Sequence, residues 1–236
     1  MPLPTIEVPT YTTALPSTGQ TIKFRPFLVK EEKILLMAME SEDEKQITDA
    51  VVTLLTNCIQ SRIKVRHLPM FDLEYLFLQI RGKSVSEELE LKITCNDDNE
   101  TQVDVTINLE DVEVVKPKGV KNTIKITNDI AIKLQYPRLD TFIKSNFTQN
   151  AKPEQAFDVI TQCIEQIIEG DQVHEAANAT KKELTTFLDS LTSKQFEKLQ
   201  EFFSNMPKLT HTFNVKNPNT GVDNEYTLEG LASFFG

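Results

Sequence analysis

The spacing of apolar residues changes twice along the chain, and this change constrains the fold more than any other feature. From Val29 to about Gly82, apolar residues recur every three or four positions, as on amphipathic helices. From Glu88 to Tyr136 they alternate with polar residues, as on half-buried strands. The helical spacing returns after Pro137. The sequence therefore predicts an α+β fold: an N-terminal β-hairpin and helices, a central antiparallel β-module, and a C-terminal helical region that ends in a second hairpin.

Three segments follow from this pattern. Residues 1–85 hold the N-terminal hairpin and helices, residues 86–137 hold an antiparallel β-module of about four strands, and residues 138–236 hold the helical region with the terminal hairpin. A chain of 236 residues is long enough for one large domain or two small ones. The sequence leaves open whether the three segments form one compact unit.

The N-terminal helices are marked by charge and by proline. Glu31 and Glu32 lie in the first turn of the helix predicted over Val29–Glu40, where carboxylates favour the helix dipole. A second helix follows a break at 41–43. Pro69 begins the third helix, and its apolar residues surround nearly the whole circumference. This pattern indicates burial on several sides or a docked partner.

Three further helices are predicted after Pro137. Two capping boxes, at 180–183 and 192–195, predict the starts of two of them. An apolar stripe closed by Gly170 predicts the other, and it consists of Ala156, Phe157, Ile160, Ile164, Ile167 and Ile168.

Both ends of the chain contain a turn of the form Pro-x-Thr-Gly, at 16–19 and at 218–221. Proline suits the second position of a type I turn, and the glycine that follows can adopt positive φ. Strand-like runs flank each turn. The sequence therefore predicts two hairpins that use the same turn, although two tetrapeptides are too short to indicate an internal repeat.

Charge and cysteine content narrow the function classes. A formal net charge of −10 and a pI near 4.9 argue against non-specific binding to nucleic acid or to an anionic membrane. The three cysteines are widely spaced, which fits a reducing compartment without disulfides. The N-terminus shows no secretory signal. We therefore expect a cytosolic protein with neither a nucleic-acid partner nor a membrane partner.

The stretch LKITCNDDNETQVDVTINL resembles half of a zinc site, because a strand-like run reaches Cys95, reverses and returns. A zinc knuckle needs two thiolates about two residues apart, and the position three residues on is Asp98. Asn96 to Asn99 are turn-forming residues, which predicts an ordinary hairpin. The alternative hypothesis is a metal-binding module or metal-dependent enzyme that uses Cys95, Asp97 and Asp98 with His174 or His211.

No motif in the sequence indicates catalysis. The seven glycines form neither a phosphate-binding loop nor a dinucleotide turn, and HEAAN, which begins at His174, lacks the second histidine of a zincin. We therefore predict no catalytic, cofactor-binding or metal-binding residues and no cofactor. Two basic loops leave a nucleic-acid adaptor as a third option; they contain Arg62, Lys64 and Arg66, and Lys116, Lys118 and Lys121.

Several stretches together resemble a known family. They are IKFRPFLVKEEKILLMA, LPMFDLEYLFLQIRGKSV, ELELKITCNDDNETQVDVTINLEDV, LTSKQFEKLQEFFSNMPKLTH and NPNTGVDNEYTLEGLASFF. They resemble the baseplate hub assembly family of T-even-like contractile-tailed bacteriophages. The resemblance implies a non-enzymatic protein that assembles, or forms part of, the central hub of the tail baseplate. Its implied partners are other hub and tail proteins in the host cytoplasm during phage assembly. Whether it stays in the virion baseplate or leaves as a chaperone is open, as is its oligomeric state.

The same stretches contain more apolar surface than short elements usually bury. Aromatic residues often anchor subunit interfaces, although a role in the core is the simpler explanation. The candidate partner-contact residues are Phe24, Phe27, Phe71, Tyr75, Phe77, Leu231, Phe234 and Phe235.

Overall fold

The computed structural model describes residues 6–41, 43–117, 119–139 and 153–234. Within these residues, helices alternate with small antiparallel sheets, which confirms the predicted α+β fold. The chain forms two compact units, each assembled from separate segments. The first unit comprises residues 1–65, 71–115 and 208–236, and the second comprises residues 66–70 and 116–207. The three-part division at 85 and 137 remains a prediction.

The described residues contain six α-helices and eleven strands. The helices are α1 (Val29–Glu40), α2 (Glu44–Cys58), α3 (Met70–Ser84), α4 (Pro153–Cys163), α5 (Lys181–Asp189) and α6 (Ser193–Ser204). The strands are β1 (Tyr11–Ala14), β2 (Thr21–Phe24), β3 (Glu88–Thr94), β4 (Gln102–Asn108), β5 (Glu113–Val115), β6 (Thr123–Lys125), β7 (Ile130–Leu134), β8 (Ile164–Glu169), β9 (Gln172–Glu175), β10 (Lys208–Lys216) and β11 (Asp223–Glu229).

Helix starts lie where local hydrogen bonds satisfy the first amides. The Asp43 carboxylate accepts hydrogen bonds from the Lys45 and Gln46 amides at the start of α2. Both predicted capping boxes are confirmed, at Thr180 before α5 and at Thr192 before α6. The helices predicted at the positions of α1, α2 and α3 are confirmed as well.

The first unit contains three small sheets. β1 pairs with β2, β3 pairs with β4, and a three-stranded sheet has the order β11-β10-β5. The nearly all-round apolar character of α3 is explained by burial, because seven of its fifteen residues are buried. One core cluster of this unit consists of Leu78, Leu89, Ile107, Leu109, Val112, Leu209 and Phe234.

The second unit contains one four-stranded antiparallel sheet, in the order β6-β7-β8-β9. Residues of this sheet pack with residues of α4, α5 and α6 in one core cluster. The rings of Tyr136 and Phe202 stack with centroids 5.2 Å apart, and Phe203 meets Phe202 edge to face at 5.1 Å. The core of this unit therefore combines aliphatic strand residues with aromatic residues from α6.

The sequence-based prediction was wrong for the stripe that ends at Gly170. Ile164, Ile167 and Ile168 belong to strand β8, and the helix α4 stops at Cys163. A short apolar run fits either period, so spacing alone does not decide it. Three β-branched isoleucines favour a strand, and Gly170 adopts a φ of +57° in the turn that returns to β9. That turn, together with pairing to β7, decides the outcome.

The structure divides the strands predicted over residues 86–137 among several sheets. The predicted strands exist and pair antiparallel, but they join three different sheets. β3 and β4 pair with each other, β5 joins the C-terminal hairpin, and β6 and β7 pair with β8 and β9. Alternation of apolar and polar residues indicates a half-buried strand, but it does not show which strand pairs with it.

Candidate interaction surfaces

Most of the aromatic residues proposed as partner contacts lie inside the first unit. Phe24, Phe77 and Phe234 are each 1% exposed and Phe71 is 5% exposed. Phe27 and Tyr75 are half-buried, and the Tyr75 hydroxyl lies 2.9 Å from Thr13 Oγ1. Leu231 belongs to a short 3-10 helix, Leu231–Phe234, and Phe235 lies outside the described residues. Burial explains Phe24, Phe71, Phe77 and Phe234 as core residues, and a contact role for the candidates remains a prediction.

A group of exposed apolar side chains lies on α1 instead. Val29 is 80% exposed, Leu36 is 55% exposed and Met37 is 61% exposed. Leu36 and Met37 follow Val29 by seven and eight residues, about two helical turns, so the three side chains lie on one face of the helix. Lys33 and Glu40 lie on the same face and are also exposed. We call Val29, Lys33, Leu36, Met37 and Glu40 the α1 face. An exposed apolar surface of this kind often marks a protein–protein contact.

The opposite side of α1 is anchored by a buried carboxylate. Glu31 is 1% exposed, and its Oε1 lies 3.0 Å from Nη2 of Arg25. Its Oε2 accepts a hydrogen bond of 2.8 Å from the Leu28 amide, which is the glutamate half of a capping box. Burial raises the pKa of Glu31, but the bonds from Arg25 and Leu28 outweigh that effect and leave the pKa below its ordinary value. Glu31 therefore stays ionised and fixes the start of α1.

The chain before α1 is tied to the rest of the first unit. The Arg25 amide donates to the Cys58 carbonyl at 3.0 Å, at the end of α2. The Phe27 amide donates to Ser84 Oγ at 2.9 Å, at the end of α3. Leu35 and Ala38 of α1 are buried. The α1 face is thus held outward by a fixed N-terminus and a buried opposite side.

Sequence reasoning missed the α1 face, although one indication was present. The segment VKEEKILLMAME has six apolar residues after Val29, of which only Leu35 and Ala38 are buried. A helix with one buried side needs only one apolar stripe. The surplus at Leu36 and Met37 could have identified the surface.

The region around Cys95 is organised by hydrogen bonds. The Asp97 carboxylate accepts from Asn217 Nδ2 at 3.0 and 3.1 Å, from Asn224 Nδ2 at 2.9 Å and from Thr220 Oγ1. The Asp98 carboxylate accepts from Asn217 Nδ2 at 2.9 Å. The turn after β3 is therefore bound to the turn after β10. Hydrogen bonds lower the pKa of both carboxyl groups, chiefly from Thr220 and Asn217 for Asp97 and from Thr101 for Asp98.

This arrangement gives the metal hypothesis no ligand set. Within the described ranges, no group of three or more His, Cys, Asp or Glu side chains could hold a metal ion. His211 Nδ1 lies 3.2 Å from the Asp111 carbonyl oxygen, and His174 lies 3.7 Å from the Glu169 carboxylate. Neither histidine joins Cys95 in such a group.

The cysteine thiols are poor nucleophiles in this structure. Burial raises the pKa of Cys58 to about 11 and that of Cys163 to about 12. Burial, followed by the charges of Asp97 and Asp98, also raises the pKa of Cys95. All three thiols therefore stay protonated at neutral pH, and the thiolate is the reactive form.

A groove in the second unit lies beside β6 and α6. Its cavity volume is about 600 Å³. Ile124 and Phe202 contribute apolar surface, and Lys121, Lys125 and Lys198 also line it. We call this the β6 groove. Lys121 thus joins lysines from two other elements, while Lys118 of the predicted basic loop lies outside the described residues.

Comparison with known proteins identifies a family. Within the described residues, no helix combines the length and the apolar character needed to cross a membrane. No curated protein and no solved structure matches the chain. A family model described as T4 bacteriophage base plate protein matches residues 8–236. Because this match covers nearly the whole sequence, the chain belongs to the family of T4 bacteriophage base plate proteins.

Proposed function

We propose that the chain builds the central hub of a phage tail baseplate by binding other hub and tail proteins, and that it catalyses no reaction. The family is one of structural baseplate proteins, which supports a role in binding. The resemblance of several sequence stretches to hub assembly proteins supports the hub as the location. Among the described residues, the buried thiols and the missing metal-ligand groups offer no competing chemistry.

The α1 face is the single observation that carries this proposal. Its Val29, Leu36 and Met37 side chains are each more than half exposed, on a helix whose opposite side is anchored by Glu31. Full burial of one such side chain contributes about 1.5–3 kcal/mol. Methionine is enriched at interfaces because its flexible thioether adapts to irregular surfaces. A partner that covers this face would gain most from these three residues.

Charged substitutions on the α1 face test the proposal directly. In the Leu36→Asp, Met37→Asp double variant, we expect tail assembly to fail while the isolated chain folds normally, because both side chains are exposed. Binding to hub intermediates should weaken by roughly tenfold or more. Complementation of a phage that lacks the gene measures assembly, and circular dichroism measures folding.

Val173→Asp is the matched control, because Val173 is 53% exposed on β9 of the second unit. This variant should support assembly at the normal level. Normal assembly by the double variant would refute the α1 face as the contact. Equal failure of both variants would show that any added carboxylate on an exposed valine or leucine disturbs assembly.

Mass spectrometry separates the two forms of the proposal. The chain is quantified against known tail proteins in purified particles and in infected-cell lysate. Abundance near that of the hub subunits in particles makes it a structural component. Presence with tail intermediates but absence from particles makes it an assembly chaperone. If it accompanies no tail protein in either sample, the hub proposal is wrong.

A further inference from the structure

β6 lies at one edge of its sheet, and the register determines which backbone groups face outward. The Leu134 amide donates to the Asn122 carbonyl at 2.7 Å, and the Ile126 amide donates to the Ile130 carbonyl at 2.9 Å. In an antiparallel pair, hydrogen-bonded residues alternate with residues that point the other way. Thr123 and Lys125 therefore direct their amides and carbonyls away from β7.

These outward groups open into the β6 groove. Lys198 Nζ on α6 donates to the Lys125 carbonyl at 3.1 Å, across the same space. A lysine at a sheet edge commonly protects that edge against unwanted strand pairing. Here the Lys198 ammonium group binds the outward carbonyl of Lys125. Within the described part of the chain, the outward amide and carbonyl of Thr123 are bonded to no other strand. A carboxylate supplied by a partner would pair with Lys198 and release the Lys125 carbonyl.

The size of the groove suits a single strand. Strands lie about 4.8 Å apart, sheets stack about 10 Å apart, and each residue advances about 3.4 Å, so one residue of a strand occupies roughly 160 Å³. The cavity volume of about 600 Å³ therefore holds roughly four residues. β6 itself has three residues.

The charge of the groove selects an acidic ligand. Three lysines and one glutamate, Glu201, line it, in a chain with a net charge of −10. The second unit has 13 Lys and Arg against 12 Asp and Glu, whereas the first unit has 12 against 23. Nucleic acid is less favoured, because Phe202 is only 3% exposed and offers little surface for base stacking.

We propose that the β6 groove binds an extended segment of another tail protein, with alternating acidic and apolar side chains, as a strand added to β6. The main-chain bonds go to Thr123 and Lys125, the carboxylates pair with Lys121 and Lys198, and the apolar side chains contact Ile124. Strand addition of this kind combines backbone hydrogen bonds for affinity with alternate side chains for specificity. The inference rests on the proposed function, because it supplies a second contact surface for a binding protein.

The test uses the full chain and a fluorescein-labelled peptide of seven residues that alternates Glu and Val. Fluorescence anisotropy measures the Kd, and amide NMR of the 15N-labelled chain reports the site. We expect the Thr123 and Lys125 amide signals to shift and their hydrogen exchange to slow. The β9 amides at the opposite edge serve as the internal control, because that edge lines no part of the β6 groove. A Gln-for-Glu peptide should bind roughly tenfold more weakly.

Three variants locate the contact. Thr123→Pro removes an outward amide without touching the bonds to β7, and it should abolish binding. Lys198→Glu should raise the Kd by roughly tenfold. Lys182→Glu on α5 is the control, because this exposed lysine lies outside the groove, and it should leave the Kd unchanged. Amide spectra of β8 and β9 verify that each variant folds, and Lys198→Glu remains informative if the proline variant does not.

Three results would overturn the inference. One is peptide binding that none of the groove variants weakens. Another is a ten-nucleotide single-stranded DNA that binds more tightly than the peptide and shifts the same amides, which would make the groove a nucleic-acid site. The third is self-association of the chain that Lys198→Glu abolishes, which would show that the groove binds a second copy of this chain. Failure here leaves the hub proposal intact, because that proposal is judged by tail assembly and by the α1 face.

Discussion

The two Pro-x-Thr-Gly turns have the same backbone structure but different anchors. In the first, the Leu15 amide donates to the Gln20 carbonyl at 2.9 Å and the Gly19 amide donates to the Leu15 carbonyl at 2.8 Å. In the second, the Asn217 amide donates to the Val222 carbonyl at 2.8 Å, and the Gly221 amide donates to the Asn217 carbonyl at 2.8 Å. The glycines have φ angles of +73° and +77°. The same four-residue pattern therefore forms the same turn at both ends of the chain.

A carboxylate from elsewhere in the first unit holds each turn. Asp72 on α3 accepts from the Ser17 amide at 2.9 Å and from the Ser17 hydroxyl, and Asp72 is fully buried. Asp97 accepts from Thr220 and Asn217, but Asp97 is exposed and lies in the turn of another hairpin. The first anchor thus joins a turn to a helix inside the unit, and the second joins two turns at its surface.

A turn motif does not by itself determine how much the turn stabilises the fold. A buried carboxylate is desolvated, so its hydrogen bonds are strong and their loss leaves unpaired groups in the interior. An exposed carboxylate exchanges its partners for water at little cost. We therefore expect substitution of the two turn glycines to lower the free energy of unfolding equally, and loss of the two anchors to lower it unequally.

The largest expected effect is at Asp72. Asp72→Ala should lower the free energy of unfolding by about 2–4 kcal/mol, because a buried acceptor is lost and the Ser17 amide is left unpaired. Ser17→Ala is the matched control and should cost only about 1 kcal/mol, since it removes the hydroxyl alone. Urea unfolding followed by circular dichroism measures both. Equal costs would mean that the bond from the Ser17 hydroxyl carries the whole effect and that the buried amide does not depend on Asp72.

The second turn should show a smaller effect, with Asn217 as the most sensitive residue. Asn217 is fully buried, donates to Asp97 and Asp98, and accepts the Asn219 amide at 2.8 Å. Asn217→Ala should lower the free energy of unfolding by about 1–3 kcal/mol. Asn219→Ala is the control, because its side chain makes one exposed bond, to Thr101. Urea unfolding of the two variants would contradict this ranking if Asn219→Ala cost more.

The sequence predicted both turns but neither anchor. Pro, Thr and Gly act within four residues, so their spacing carries the information. Asp72 lies 55 residues after Ser17, and Asp97 lies 120 residues before Asn217. Asp72 lies in the first turn of α3, where the helix dipole alone would explain a carboxylate. Contacts at such separations depend on packing, which no local pattern records.

The same limit applies to the candidate surfaces. The helix α1 was predicted from its spacing, but its outward face depends on which residues Glu31 and α2 leave uncovered. The β6 groove combines a strand, a loop and a helix 73 residues apart, joined by the bond from Lys198 to Lys125. The candidate contact residues were selected for their apolar character, and four of them, Phe24, Phe71, Phe77 and Phe234, are buried. Apolar character alone does not distinguish a core residue from a contact.

Substitution of the turn glycines should test the shared backbone. Gly19→Ala and Gly221→Ala should each lower the free energy of unfolding by about 1–2 kcal/mol, because a β-carbon disfavours positive φ. An added β-carbon at either position meets no atom within 4 Å, so the cost is conformational in both. Thermal and urea unfolding should give equal values within error. A clear difference between the two variants would show that the anchors strain one turn more than the other.

The smallest expected effect is a difference in acid sensitivity. Hydrogen bonds from Thr220 and then Asn217 hold the pKa of Asp97 below its ordinary value, and bonds from Thr101 and Glu100 do the same for Asp98. A carboxylate with a lowered folded pKa stabilises the fold above its unfolded pKa, near 3.9, and loses that contribution as the pH falls through its folded pKa. Stability should therefore fall below about pH 4, and less steeply in Asp97→Asn. Urea unfolding of both proteins between pH 6 and pH 2.5 measures the two slopes. Because carboxylates outside this turn titrate equally in both proteins, the difference reports Asp97 together with Asp98, which shares the Asn217 donor, and identical slopes would mean that the bonds to Asp97 do not persist in solution.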